Sequence, residues 1–283
     1  MIQQDLVCRD LPQTQPGGVA PTADQAWLGL LRTLLIEGQI IAPRGMRTLE
    51  VLHHVSLTVD LNHPVVTHPL RKLNYRFMAA EALWIQAGRN DLETLTRVNP
   101  KMANYSDDGV TLAGAYGPRI RPQVSYVVQA LVRDRDTRQA ALTIWTPSPE
   151  PSKDLPCTVA MTFSIREHRL YQHVFMRSSD AWLGVPYDVF SFSLLGIEVA
   201  CLYNLVTKEP IGLGHLTVTM TSSHLYEEHW SPAGSITSKP GLAEDMPPTV
   251  DPGLVAKGDF EAIRQRVLAC RDRSAGAEPR FPL

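Results

Sequence analysis

The sequence predicts an α+β fold in a single elaborated domain. A chain of 283 residues with 44% hydrophobic residues is long for one domain and short for two. Apolar segments of period two and of helical period both occur along it. They do not alternate in regular βαβ units, which argues against a doubly wound sheet. No internal repeat or low-complexity block breaks the pattern.

Residues 1–21 carry several Pro and Gly without periodicity and read as an N-terminal arm. Thr22 and Gln25 form a capping-box pattern. Trp27, Leu28, Leu31, Leu34 and Leu35 then repeat at helical spacing up to Gly38. Leu49, Val51, Val55, Leu57, Val59 and Leu61 alternate with mostly polar neighbours, which predicts a long strand. Asn74 to Ala87 reads as a mostly apolar helix stopped by Gly88. Tyr126 to Val132 and Gln139 to Trp145 fit either a strand or a helix end. Val159, Met161, Phe163 and Ile165 alternate, His168 and Arg169 mark a turn, and a second strand runs from Leu170 to Arg177. Phe190 to Val206 is apolar on nearly all sides, as in a buried helix. Gly212 to Ser222 alternates again. Residues 231–253, rich in Pro, Gly and Ser, predict a long loop, and an amphipathic helix from Phe260 to Cys270 precedes a polar tail. The expected organisation is an arm (1–21), a catalytic core (22–230) and a loop, helix and tail of the same domain (231–283).

Lys and Arg number 27 against 29 Asp and Glu, a net charge of −2, so no direct nucleic-acid partner is expected. A few Arg can still hold a single phosphate. No apolar run approaches the roughly 18–20 residues of a membrane span, so no membrane partner is expected. The N-terminus lacks the basic start and apolar stretch of a secretory signal. The four cysteines, Cys8, Cys157, Cys201 and Cys270, are scattered without metal-ligand or disulfide-framework spacing. These features predict a cytoplasmic protein with no metal, in which a special cysteine is special through reactivity.

Several short motifs carry chemistry together. Taken singly, Cys157 in Leu155-Pro156-Cys157 fits a small buried hydrophobe. It is accompanied, in order, by Ala80-Glu81-Ala82-Leu83-Trp84 with Gly88, by Gly114-Ala115-Tyr116-Gly117, and by Arg177-Ser178-Ser179-Asp180-Ala181-Trp182-Leu183-Gly184-Val185-Pro186-Tyr187-Asp188. His224-Leu225-Tyr226, with His229 just after, closes the set. This series resembles the thymidylate synthase family and its pyrimidine-hydroxymethylase relatives over roughly residues 22–230. The resemblance implies a thymidylate-synthase-like mixed sheet with packed helices. It also implies Cys157 as a nucleophile toward C6 of a pyrimidine, which makes C5 a carbanion able to attack the one-carbon unit of 5,10-methylenetetrahydrofolate. Neighbouring Arg would lower the thiol pKa from about 8.5. Glu81, on an apolar helix, would relay protons from a dry pocket, with Tyr116 beside it.

For the nucleotide monophosphate, the resemblance assigns Arg177, Ser178 and Arg44 to the phosphate, with Arg47 close enough to exchange with Arg44. Arg138 matches an Arg that crosses from a second subunit, which implies a homodimer with shared sites. Gln139 replaces a second crossing Arg. His224 and Tyr226 would clamp the 3′-hydroxyl, and Asp180, Gly184 and Tyr187 would hold the folate, whereas Trp84 reads as packing. Departures from the synthases set the expected activity. Asp188 stands where they have Asn, and a carboxyl sharing a proton with N3 complements cytosine. Val98 to Tyr105 replaces a Trp-rich helix that shields the methylene intermediate, the C-terminus lacks the family tail, and Thr158 replaces a usual His. The expected function is a 5-hydroxymethylase of deoxycytidylate (dCMP), in a host cytoplasm if phage-encoded. The alternatives are a CMP hydroxymethylase of a nucleoside-antibiotic pathway and a thymidylate-synthase-type methyltransferase on dCMP or dUMP.

Overall fold

The computed structural model describes residues 22–238 and 250–272. The expected arm, the middle of the expected loop (239–249) and the tail beyond 272 lie outside the described residues. Helix α1 (Ala23–Glu37) starts where the Thr22 side chain accepts from the Gln25 amide, and Trp27, Leu31 and Leu34 are buried along one face. Strands β1 (Gln39–Ile41) and β2 (Thr48–Asp60) follow. Helix α2 (Tyr75–Gln86) is capped by Asn74, whose side chain accepts from the Phe77 amide, and ends just before Gly88. Then come α3 (Leu92–Thr96), α4 (Gly117–Arg133), β3 (Ala141–Thr143), β4 (Thr158–Arg166), β5 (Arg169–Met176) and β6 (Ser179–Asp180). Helix α5 (Val185–Thr207), β7 (Gly212–Tyr226), α6 (Trp230–Thr237), α7 (Pro252–Lys257) and α8 (Phe260–Asp272) complete the chain.

The strands form one mixed sheet in the order β1-β2-β7-β5-β4-β3, with β6 also on β7. Strands β5 and β6 run parallel to β7, and the other pairs are antiparallel. Helix α5 is the centre of the core. Phe190, Phe192, Ile197 and Val199 are almost fully buried, and α1, α2, α4 and α7 all pack against it. Here one expectation needs correcting. At 23 residues and mean hydropathy 1.8, α5 is long and apolar enough to cross a membrane by composition alone. Its most apolar window is 83% buried inside this protein, so core packing accounts for its character.

Three other segments differ from the sequence reading. The ambiguous stretch 126–132 belongs to α4, where Pro118 and Pro122 obscured the helix pattern; both fall in the first two turns, and Pro118 at the very start is where a missing N–H is tolerated best. The start of the expected loop is α6, because Ala233, Ile236 and Thr237 bury one face and Pro232 sits in its first turn. At the other end of that loop, Pro252 opens α7 behind Asp251, whose carboxylate accepts from the Gly253 amide.

The sheet also changes phase along a single line. Residues 53 and 54 of β2 stand opposite Thr221 alone, and the β4–β5 register shifts between Thr158 and Ala160. The row Val55–Met220–Met176–Thr158 joins the two irregularities across four strands. Along β7 the buried set changes from Leu216, Val218 and Met220 to Ser223 and Leu225. A break of this kind re-aims every side chain beyond it.

Candidate active site

The predicted residues gather just past that break. Cys157 precedes β4, and Arg177 and Ser178 follow β5; the Arg177 amide donates to the Cys157 carbonyl at 2.8 Å. Arg177 Nε and Nη2 donate to the carbonyls of Pro156 (3.0 Å) and Leu155 (3.1 Å), and its guanidinium lies 5.5 Å over the Trp145 ring. Arg177 and the segment ending at Cys157 are therefore tied into one unit. The Gly114 amide donates to Asp154 Oδ2 at 2.8 Å, and a Cβ on Gly114 would lie 2.6 Å from the Asp154 carbonyl oxygen. Only glycine permits this contact, which brings Tyr116 against the Cys157 segment. The Tyr116 ring stacks on Phe192 of α5 at 6.0 Å.

Glu81 from α2 and Asp188 from the first turn of α5 close the site from the helix side. Both are half-buried and surrounded by protein. Loss of water raises the Glu81 carboxyl to about 8, with the neighbouring Asp188 adding to the shift. Asp188 is pushed up to about 7, first by burial and then by Asp180. The Tyr116 hydroxyl is raised by burial and by the nearby Asp188 and Cys157. The expected lowering of the Cys157 pKa does not occur in the free protein. Burial pushes the thiol up, and Arg177 opposes that only in part.

The remaining groups line the other wall. Ser178 Oγ lies 3.3 Å from His224 Nδ1, and His224 meets Tyr226 edge-on at 5.3 Å. Arg44, in the left-handed region at φ 54, hydrogen-bonds Tyr226. Arg47 is instead paired with Glu227 and lies 5.4 Å over the Trp230 ring. Both Arg line the same cleft, Arg44 on Tyr226 and Arg47 on Glu227, so the two stay alternatives for one phosphate.

Asp180 Oδ1 accepts from the amides of Trp182 (2.8 Å) and Leu183 (2.9 Å), which fixes the turn into α5. A Cβ on Gly184 would sit 3.3 Å from Asp188 Oδ2, so the glycine leaves the approach to that carboxyl open. The Tyr187 hydroxyl accepts from the Asn74 amide at 3.2 Å, and its ring packs edge-on against Phe77 at 5.2 Å. A cleft of about 610 Å³ opens outward between Arg44, Asn104, Tyr105, Lys153, Leu183 and Tyr226. Trp84 is buried with its indole N–H on the Asp91 carbonyl at 3.1 Å, a packing position.

Arg138 does not join this group. It is exposed in the loop between α4 and β3, beside the far end of β4, where Arg166 Nη2 donates to the Asp136 carbonyl. With Ala140 bonded to Phe163, six to seven strand residues separate this loop from Cys157, about 20 Å at ~3.3 Å per residue. Arg138 cannot reach the site of its own chain.

Sequence reasoning missed Arg71 and Glu50. Arg71 Nη2 donates to the Trp182 carbonyl at 2.6 Å and its guanidinium lies 4.7 Å over that indole, which also stacks with His229 at 5.4 Å. Glu50 reads in the sequence as an ordinary polar position of an alternating strand, and only the strand pairing gives it meaning.

This fold and this grouping define a thymidylate-synthase-type protein. The chain belongs to the thymidylate synthase family, whose profile matches residues 25–244. It is 31% identical over 219 residues to the deoxyuridylate hydroxymethyltransferase of Bacillus phage SP01, covering 66% of this chain and 56% of that protein. It is 30% identical over 198 residues to the protein of the same description from Pseudomonas phage M6, covering 65% and 54%. The thymidylate synthase of Buchnera aphidicola subsp. Baizongia pistaciae (strain Bp) is 26% identical over 219 residues, covering 72% and 80%. The chain spans about half the length of the two phage relatives.

Proposed function

We propose that this chain transfers a hydroxymethyl group to C5 of a cytidylate, dCMP, using 5,10-methylenetetrahydrofolate as one-carbon donor. Asp188, which stands where the synthases have Asn, carries the cytidylate reading. Its deep-set carboxyl, raised to about 7, holds a proton near neutral pH. A protonated carboxyl donates to cytosine N3 and accepts from the 4-amino group. The same hydrogen bond draws electron density from the ring and makes C6 the easier target.

Cys157 Sγ forms the bond to C6, and Arg177 is the neighbour that favours its thiolate. C5 gains the electron pair and forms the carbon–carbon bond, and the bond from that carbon to the folate nitrogen then breaks, so that tetrahydrofolate leaves with that electron pair. The reduced folate supplies that carbon at the oxidation level of formaldehyde. Glu81 and Tyr116 handle protons on this face, with Glu81 taking the C5 hydrogen as a proton. Water adds to the exocyclic methylene carbon of the nucleotide, and Cys157 departs from C6. The nucleotide gains one CH2O unit, and no hydride is transferred.

Arg177, Ser178 and Arg44 hold the phosphate, and His224 and Tyr226 hold the sugar. The turn from Asp180 to Tyr187, kept open at Gly184 and exposed at Leu183, fits a flat ring system lying over the base. Among the described residues, Asn104 and Tyr105 stand at the mouth of the cleft and no indole lines it, which favours capture by water. The names of the phage relatives support the hydroxymethyl product. The position of Arg138 supports a homodimer in which each chain lends this residue to its partner's phosphate site.

A second reading, deoxyuridylate as substrate, is favoured by those same names. A protonated Asp188 can also donate to O4 and accept from N3–H. Incubation with methylenetetrahydrofolate and each of dCMP, CMP and dUMP, with product masses read, tests both readings. A CH2O gain on dCMP is expected; a gain on dUMP alone overturns the cytidylate assignment, and a CH2 gain overturns hydroxymethylation.

A further inference from the structure

Strand β7 presents His224 between two carboxylates. Glu50 of β2 is its direct antiparallel partner, and Asp180 of β6 its direct parallel partner. Directly paired residues point to the same face with Cβ atoms about 4.5–5.5 Å apart in an antiparallel pair. Glu50, His224 and Asp180 thus form a transverse row, which Gln39 of β1 extends by one place. The Glu50 carboxylate accepts from the Ser222 hydroxyl at 2.5 Å, and Ser222 lies two residues before His224 on the same face. His224 Nδ1 meets Ser178, which leaves Nε2 to meet a ligand. Arg44 faces the imidazole from its turn, Arg177 from the end of β5, and Tyr226 from the same strand.

We infer that Glu50 is a positioning residue that acts through His224, holding the imidazole toward the sugar and letting it take up a proton as a phosphorylated sugar docks. This rests on the nucleotide reading of the site. In the free protein, burial together with Arg44 and Arg177 disfavours the imidazolium, whereas Asp180 and Glu50 favour it; the net direction is downward from the usual histidine value. An arriving phosphate neutralises the two Arg. The two carboxylates then face His224 with little opposition, and linkage requires proton uptake on binding.

The probe is 2-deoxyribose 5-phosphate, which lacks a base and so leaves Asp188 out of the measurement. The His224 ring is titrated by NMR with and without it, in wild type and in Glu50→Gln and Glu50→Asp. In wild type the His224 midpoint should rise when the sugar phosphate binds. Glu50→Gln, which keeps the shape, should lose most of that rise, and Glu50→Asp should recover part of it. The KM for dCMP should increase roughly tenfold in Glu50→Gln while kcat changes less, the size expected for one charge-assisted interaction. An unchanged midpoint shift and unchanged KM in Glu50→Gln would overturn the inference. If wild type binds neither the sugar phosphate nor any pyrimidine nucleotide, the nucleotide reading itself falls.

Discussion

Replacing Asp188 with Asn should change stability and specificity together, in ways that can be separated by pH. The carboxyl moves from 3.8 to about 7 on folding. That is about three pKa units, or roughly 4 kcal/mol at 1.36 kcal/mol per unit, an upper bound because the cleft admits water. A raised acid stabilises the fold below its unfolded pKa, and that contribution is lost as pH rises through the folded pKa. Asp188→Asn should therefore match wild type at about pH 4 and exceed it by up to a few kcal/mol at about pH 8, read by denaturant unfolding. An Asn held with its N–H toward position 4 and its oxygen toward N3 faces cytosine with the wrong partners, at about 1–3 kcal/mol per unsatisfied group. Two mismatched groups shift the dCMP-to-dUMP ratio of kcat/KM by ~10²-fold or more toward dUMP. Product masses and initial rates with both nucleotides measure it. An unchanged ratio means Asp188 does not read the base. A stability difference that is the same at both pH values means the native carboxyl carries no extra proton.

Cys157→Ser should abolish turnover and preserve nucleotide binding, since a hydroxyl is a far weaker nucleophile at neutral pH; substantial residual activity would count against the covalent step. Glu81→Gln should slow turnover by at least ~10²-fold. In wild type, the limb of the pH–rate profile set by Glu81 should lie near 8 and disappear in this variant, and a retained limb would assign it to another group. Mixing Arg138→Ala with Cys157→Ser chains should restore activity, because a mixed dimer holds one site with both groups intact. Exchange of subunits without recovery would refute the shared site.

The specific motifs were legible because each is short and local. Asn74 caps α2 and Gly88 ends it, which fixes where Glu81 projects, and the stretch from Arg177 to Asp188 contains its own turn and helix start. Helix α4 was hidden by Pro118 and Pro122, whose effect depends on where the helix begins. Helix α6 was hidden by Pro and Gly that happen to lie on its outer side. The pKa of Cys157 was misjudged because an Arg nearby in sequence logic says nothing of how much water the fold removes. Glu50 had no local signal at all, since its role comes from a pairing with a residue 174 positions later, one that only the folded ladder creates.

The shared register break also limits how this protein can change in length. Up to the row Val55–Met220–Met176–Thr158 the sheet serves packing, and beyond it the same strands supply the cleft. The pair at 53 and 54 sets which way the start of β2 faces. If one of the two were deleted and the start of β2 slid one place to refill the bulge, Glu50 would pair with Ser223 and turn to the core and Leu49 would pair with His224 and turn to the cleft, because a one-residue slip exchanges the faces of a strand. Descendants of this sequence can substitute freely at many outward positions of the sheet. Along this line, gains and losses of chain should come in twos or not at all.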